Sequence, residues 1–255
     1  MRDVVVQERF DPPVSGATSI PVPQAGARIA NSRGVPGTLG CIVRSLLDGR
    51  PLLLSNWHVL FGKGARKNDT VWLVEESCGV RRFVGIGNTL YGHIGAVHFG
   101  GEEHYVDCAV ASCSNQELLD ECFAPRESTP QKREGLPALS REAAFQTSCL
   151  VKKTGAATGT TIGATVDVNY STTSGSGGGP CIRQQLLIRP AEGHPVFSAE
   201  GDSGALVTDR HNRAVGLLWG STSRGEGIAC HIAPVLHVLN LALNSLVCEQ
   251  TTVYE

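Results

Sequence analysis

From Gly37 onward the chain runs in short apolar stretches, each closed by turn residues before it reaches the length of an ordinary helix. "GCIVRSLL" and "RPLLLSNWHVL" are joined through "LDGR", where Asp48-Gly49 is a hairpin signal. "DTVWLVEE", "RRFVGIGN", "IGAVHFG" and "VDCAVASC" continue the series and bring it to six strands. After an interruption, "CLVKKTG", "TTIGATVDVNY", "CIRQQLLIR", "GALVTD", "RAVGLLWGS" and "GIACHIA" make six more. The 30 glycines and 13 prolines supply the turns that so many strands require. The pattern predicts an all-β fold of two six-stranded antiparallel β-barrels. In "PVLHVLNLALNSL" (234–246), Val235, Leu239, Leu243 and Leu246 recur near helical spacing, and Pro234 suits a first helical turn. This segment predicts a C-terminal helix packed on the second barrel.

The same reading divides the chain. Residues 1–38 form an N-terminal arm, rich in Pro, Gly, Ala and Ser over 11–38. The first barrel covers 39–113, a polar, Pro-containing connector 114–147, and the second barrel with its helix 148–247. "STTSGSGGG" (171–179) is a low-complexity insert. The 41% hydrophobic content is ample for a buried core. A formal net charge of -2, with no basic stripe among aromatics, excludes a nucleic-acid surface. No apolar run has signal-peptide or membrane-spanning length, so the expectation is a cytoplasmic protein with no membrane partner. The nine cysteines are an odd number and read as reduced thiols. Cys108, Cys113 and Cys122 are too irregularly spaced for a zinc site, and no C-x-x-C occurs. His93, His98 and His104, near Glu102 and Glu103, read as turn residues. Neither a metal nor a cofactor is expected.

One motif stands apart. "GDSGAL" (201–206) sets Ser203 between residues of very small steric demand. A serine hydroxyl is a poor nucleophile near neutrality and needs a general base, which in turn needs an orienting acid. The candidates are His58, in "LLLSNWHVL" at the end of an apolar strand, and Asp107, a carboxylate within the apolar run "YVDCAVAS". A buried Asp there is costly without a partner. The chain order is His, Asp, Ser.

"LSNWHVL", "VDCAV" and "GDSGAL" in this order resemble the trypsin-like, chymotrypsin-fold serine protease family over roughly residues 37–247. "GTLG" and "VKKTGAATGTTIGATV" are similar to its bacterial and plant branch, which includes the narrow-leaf-type peptidases. The resemblance implies two barrels with the site in the cleft between them. It implies that His58 is the general base, Asp107 its orienter and Ser203 the nucleophile, with the backbone N–H groups of Gly201 and Ser203 as the oxyanion hole. It places the specificity pocket at Phe197, Ser198, Trp219, Gly220 and Gly227, which together favour an apolar side chain, with Glu200 and Glu226 nearby. The substrate is then a protein or peptide.

Two departures from the family carry meaning. Val59 stands where extracellular members commonly have a bridging Cys. No activation cleavage sequence precedes "GTLG", so Asp202 is expected to find partners in local backbone N–H groups rather than in a freed N-terminus. An uncut intracellular protease needs restraint, and a regulatory protein partner docking on the arm or connector is the expectation. The competing reading is a catalytically silent protease-fold module that grips peptides. An α/β-hydrolase esterase fits poorly, because "GDSGA" lacks the G-x-S-x-G pattern and the order of the triad differs.

Overall fold

The computed structural model describes residues 22–115, 119, 147–173 and 181–243. The N-terminal arm up to residue 21, nearly all of the connector, and the low-complexity insert beyond Thr173 lie outside the described residues. The described residues are mostly antiparallel strands, as the turn-punctuated sequence predicts.

The first half is an eight-stranded sheet. Its strands are β1 (Arg28–Ala30), β2 (Pro36–Thr38), β3 (Cys41–Ser45), β4 (Pro51–Ser55), β5 (Thr70–Ser77), β6 (Val80–Phe99), β7 (Glu102–Ser112) and β14 (Leu241–Leu243), in the order β14-β3-β4-β7-β6-β5-β1-β2. The second half is a closed barrel of β8 (Leu150–Gly155), β9 (Gly159–Thr173), β10 (Cys181–Pro190), β11 (Leu206–Asp209), β12 (Ala214–Ser221) and β13 (Gly227–His231). Its six strands match the six apolar runs read from the sequence.

The first half differs from the expected six strands for three reasons. "RRFVGIGN" and "IGAVHFG" are one continuous strand, β6, which pairs with β5 through Asn88 and with β7 from Thr89 onward. A bulge between Thr89 and Tyr91 turns the strand between its two partners. β1 and β2 come from the segment read as an arm. β14 comes from the segment read as helix.

That last difference has a local cause. The C-terminal helix α2 spans Ile232–Leu239, and Asn240 ends it in the left-handed region (φ 54°), donating its N–H to the carbonyls of His237 and Leu236. Beyond it, Leu241 pairs with Ser45 and Leu243 with Val43, so the apolar residues expected to continue the helix extend the first sheet. A one-turn helix, α1 (Trp57–Leu60), follows β4. No helix among the described residues is long and apolar enough to cross a membrane.

The two halves share a hydrophobic seam. Cys41, Val43, Leu52, Leu54, Val106 and Cys108 of the first sheet pack with Leu206, Leu217 and Cys230 of the barrel and with Val235 and Leu239 of α2. α2 therefore rests on both halves rather than on the barrel alone. Separate clusters fill each half, around Leu53, Val71 and Ile86 in the first and Leu186, Phe197 and Val215 in the second.

The left-handed turn at Asn240 is open to a direct test. A β-branched residue there should cost about 1–2 kcal/mol, whereas glycine should be neutral or better. Urea melts of Asn240→Val and Asn240→Gly will separate a required backbone conformation from a role of the Asn side chain.

Candidate active site

β4 is buried along its whole length and delivers the chain to Asn56 at the seam. Asn56 Nδ2 donates to the Asp107 carbonyl at 2.6 Å, tying the start of α1 to β7. His58 therefore sits in the first turn of α1 rather than on the end of a strand. N–H groups in a first helical turn lack intrahelical partners. Asp107 supplies one: the His58 backbone N–H donates to its Oδ1 at 3.1 Å, and His58 Nδ1 lies 2.5 Å from its Oδ2. An ionised carboxylate only accepts, so this contact puts the imidazole proton on Nδ1 and leaves Nε2 with a free lone pair. Asp107 is 2% exposed. Behind it, its backbone N–H meets Cys230 Sγ at 3.3 Å, and burial holds that thiol neutral by raising its pKa well above the ordinary value.

Ser203 lies in the loop that leads into β11 of the barrel. Its carbonyl accepts the Thr38 N–H at 2.8 Å, and the next residue, Gly204, donates to the Leu218 carbonyl at 2.8 Å. A Cβ on Gly204 would collide with Ser55 Oγ and the Thr38 carbonyl, and its φ of +96° is one that side chains resist. This close approach seats Ser203 against β2 and the end of β4, three residues before His58. The Ser203 hydroxyl donates to the Trp219 carbonyl at 3.2 Å. Among the described residues no hydrogen bond joins it to His58, and the backbone N–H groups of Gly201 and Ser203 have no protein acceptor.

Asp202 is buried completely. It accepts the backbone N–H groups of Ala157 (2.9 Å), Thr158 (3.1 Å) and Ala199 (3.1 Å), the Thr158 hydroxyl (2.7 Å), and Lys153 Nζ at 3.0 Å. The expected backbone partners are present, and a buried ammonium joins them. Lys153 shares the inward face of β8 with Val151 and Gly155, and Gly155 leaves no room for a Cβ against the Asp202 carboxylate. A lysine on the buried register of an apolar strand was the signal available in the sequence. Burial works to raise the Asp202 pKa. The Thr158 hydroxyl, Lys153 and the Ala199 N–H outweigh it and leave the pKa below the ordinary carboxylate value. Burial pushes the Lys153 ammonium down, against the pull of Asp202.

The five expected pocket residues fall into two groups. Trp219 and Gly220 are half-buried, with open space over Gly220. Trp219 Nε1 donates to Gln185 Oε1 at 2.7 Å, and its ring lies 5.9 Å from that of Tyr105. Phe197, Ser198 and Gly227 are buried. The Phe197 ring lies in the barrel core against Gly163 and Gly227, and a Cβ on Gly227 would come within 2.5 Å of it. The ring therefore fills the volume that a bare Gly227 wall was expected to leave open. The register sets Ser221 opposite Gly227 and Gly220 opposite Ile228. Glu226 is buried and paired with Arg189 at 3.5 Å and with the Thr222 hydroxyl at 3.1 Å, while Glu200 is exposed.

The other clusters have structural places. His93, His98 and His104 lie on β6 and β7 rather than in a turn, and His104 meets His231 edge to face at 5.8 Å. Among the described residues, Cys41, Cys78, Cys108, Cys181 and Cys230 form no disulfide. Among the described residues no group of three His, Cys, Asp or Glu is arranged to hold a metal.

No family model and no curated protein matches the chain. Solved structures do. A glutamic acid-specific serine protease that uses a histidine triad in substrate binding aligns at TM-score 0.54 and 17% identity, covering 86% of this chain and 98% of its own. Nocardiopsis protease aligns at 0.53 and 17%, covering 87% and 98%, and Thermobifida fusca protease A at 0.53 and 18%, covering 87% and 97%. The chain has the fold of the chymotrypsin-like serine proteases.

The Asp202–Lys153 pair carries a stability prediction. Lys153→Met would strand a buried carboxylate and should cost about 3–5 kcal/mol in chemical denaturation. The folded pKa of Asp202 lies below its unfolded value of about 3.9. Its stabilisation is therefore complete above that pH and lost as the pH falls through the folded value. Thermal melts should show an acid-side decline in Tm beginning near pH 4. Asp202→Asn should be less stable throughout and show a shallower acid slope.

Proposed function

We propose that this protein is a serine endopeptidase acting through His58, Asp107 and Ser203. The observation that carries the reading is the His58–Asp107 contact. It leaves Nε2 as a base on the same cleft as Ser203, whose own N–H and that of Gly201 are unpaired. Nε2 takes the Ser203 proton as Oγ attacks the scissile carbonyl carbon. The tetrahedral oxyanion accepts hydrogen bonds from the N–H groups of Gly201 and Ser203, each such donor being worth about 3 kcal/mol to the transition state. Asp107 stabilises the imidazolium, which then protonates the departing amine as the C–N bond breaks. Water, deprotonated by the same Nε2, hydrolyses the resulting acyl-enzyme. The Trp219 carbonyl holds the Ser203 hydroxyl at rest, and attack requires that hydroxyl to turn toward His58.

Asp202 has its counter-ion within the chain, so the uncut protein is active in this reading. The filled barrel core under Gly227 makes the pocket shallow and favours a short apolar side chain before the scissile bond. The buried thiols of Cys41, Cys108 and Cys230, which form no disulfide, fit a reducing compartment, which we take to be the cytoplasm, where a regulatory partner or narrow specificity restrains the enzyme. The Ser203–Trp219 hydrogen bond favours a second reading, a module that binds peptides without cutting them.

Fluorophosphonate labelling separates the two. Labelling of the uncut wild type, abolished in Ser203→Ala and His58→Ala, supports the peptidase. A wild type that stays unlabelled while binding peptides supports the module. A peptide-library profile should show cleavage after short apolar residues, and Phe197→Ala should extend it to larger ones. Cleavage confined to Lys and Arg would overturn the pocket assignment.

A further inference from the structure

Thr38 is completely buried at the end of β2 and engages every polar atom it has. Its N–H donates to the Ser203 carbonyl at 2.8 Å, and its carbonyl accepts the Ser55 hydroxyl at 2.8 Å. Its Oγ1 accepts the Ala156 N–H at 3.0 Å and donates to the Gly201 carbonyl at 2.8 Å. One side chain thus bridges the turn whose next two N–H groups hold Asp202 and the loop that carries the nucleophile. The space beside it is closed, since a Cβ on Gly37 would come within 2.6 Å of both Val59 methyl groups and 3.1 Å of the Ser203 carbonyl.

The peptide between Gly201 and Asp202 is consequently held from both sides. Its oxygen accepts from Thr38 Oγ1, and its N–H donates to the Ala199 carbonyl at 3.1 Å. Gly201 has φ +99° and no side chain of its own to resist rotation. That peptide anchors the chain on one side of Gly201, and the Gly201 N–H, on the preceding peptide, has no protein acceptor. We propose that Thr38 is a positioning residue for the oxyanion site: its hydroxyl locks the 199–204 loop in the form that keeps the Gly201 and Ser203 N–H groups free. The inference rests on the peptidase reading for its consequence in catalysis, and on the hydrogen bonds alone for the locking of the loop.

Thr38→Val keeps the shape and removes both hydroxyl bonds, while Thr38→Ser keeps them. On the full chain, hydrogen–deuterium exchange of peptides spanning 155–160 and 199–206 should speed up in Thr38→Val and stay at the wild-type rate in Thr38→Ser. Misplacing the donors should lower kcat about 10- to 100-fold with KM within about twofold, and Thr38→Ser should restore it. A peptidyl boronate, which mimics the tetrahedral state, should lose affinity by the same factor as kcat/KM. Thr38→Val with wild-type exchange in both segments overturns the proposal, as does a folded Thr38→Val with wild-type kcat. A wild type with no hydrolysis and no fluorophosphonate labelling overturns the peptidase reading instead, and the exchange comparison then still decides whether Thr38 locks the loop.

Discussion

A carboxylate with no access to water, one residue before Ser203, constrains this molecule more than any other group. Asp202 cannot be buried as an anion unless its oxygens are surrounded by donors, and five donors converge on it. Three are backbone N–H groups from two separate loops, so satisfying the charge also fixes the relative position of those loops. The loop that carries Ser203 takes its shape from this requirement. Lys153 completes the set from inside the barrel, which makes the arrangement a property of the folded chain itself and independent of any new chain end.

The second buried carboxylate does a different task with fewer partners. Asp107 is neutralised by no fixed cation among the described residues. It accepts from the backbone and ring of His58, and its strand is tied to α1 through Asn56. A carboxylate so placed fixes the orientation of the ring and, in the neutral imidazole, which nitrogen carries the proton. One buried acid therefore holds structure and the other orients the imidazole. The first carries a buried ammonium, and the second has an imidazole that is 37% exposed on the cleft side.

The seam brings segments of the two halves together. Asp107 and Thr38 come from the first sheet and His58 from α1, while Gly201, Ser203 and Trp219 belong to the barrel half. Hydrophobic packing along Leu54, Val106, Leu217 and Cys230 brings the halves together. The polar contacts of Thr38 and Ser55 set the register of the loop that carries Ser203 against the first sheet. Burial supplies affinity between the halves without direction, and the hydrogen bonds supply the direction that chemistry requires.

Much of this was legible in the sequence. The six short apolar runs of the second half are its six barrel strands, because turn residues mark strand ends locally. The order of His58, Asp107 and Ser203, and the glycines around the serine, singled out candidate reactive residues, because residue type and chain order are read directly from the sequence. The remainder was decided by tertiary structure. β1 and β2 lie in a Pro- and Gly-rich segment with no strand signal, and they pair only because β5 presents an edge. Leu241 and Leu243 continue a helical pattern yet extend β3, since Asn240 turns left-handed and the sheet edge is within reach. Lys153 and Thr38 meet their partners across 49 and 163 residues of sequence. The Phe197 ring packs against Gly163 and Gly227, neither of them near it in the sequence. Local sequence determined where strands, turns and reactive groups occur; which of them touch depended on packing between segments far apart in the chain, and no periodicity in the sequence records that.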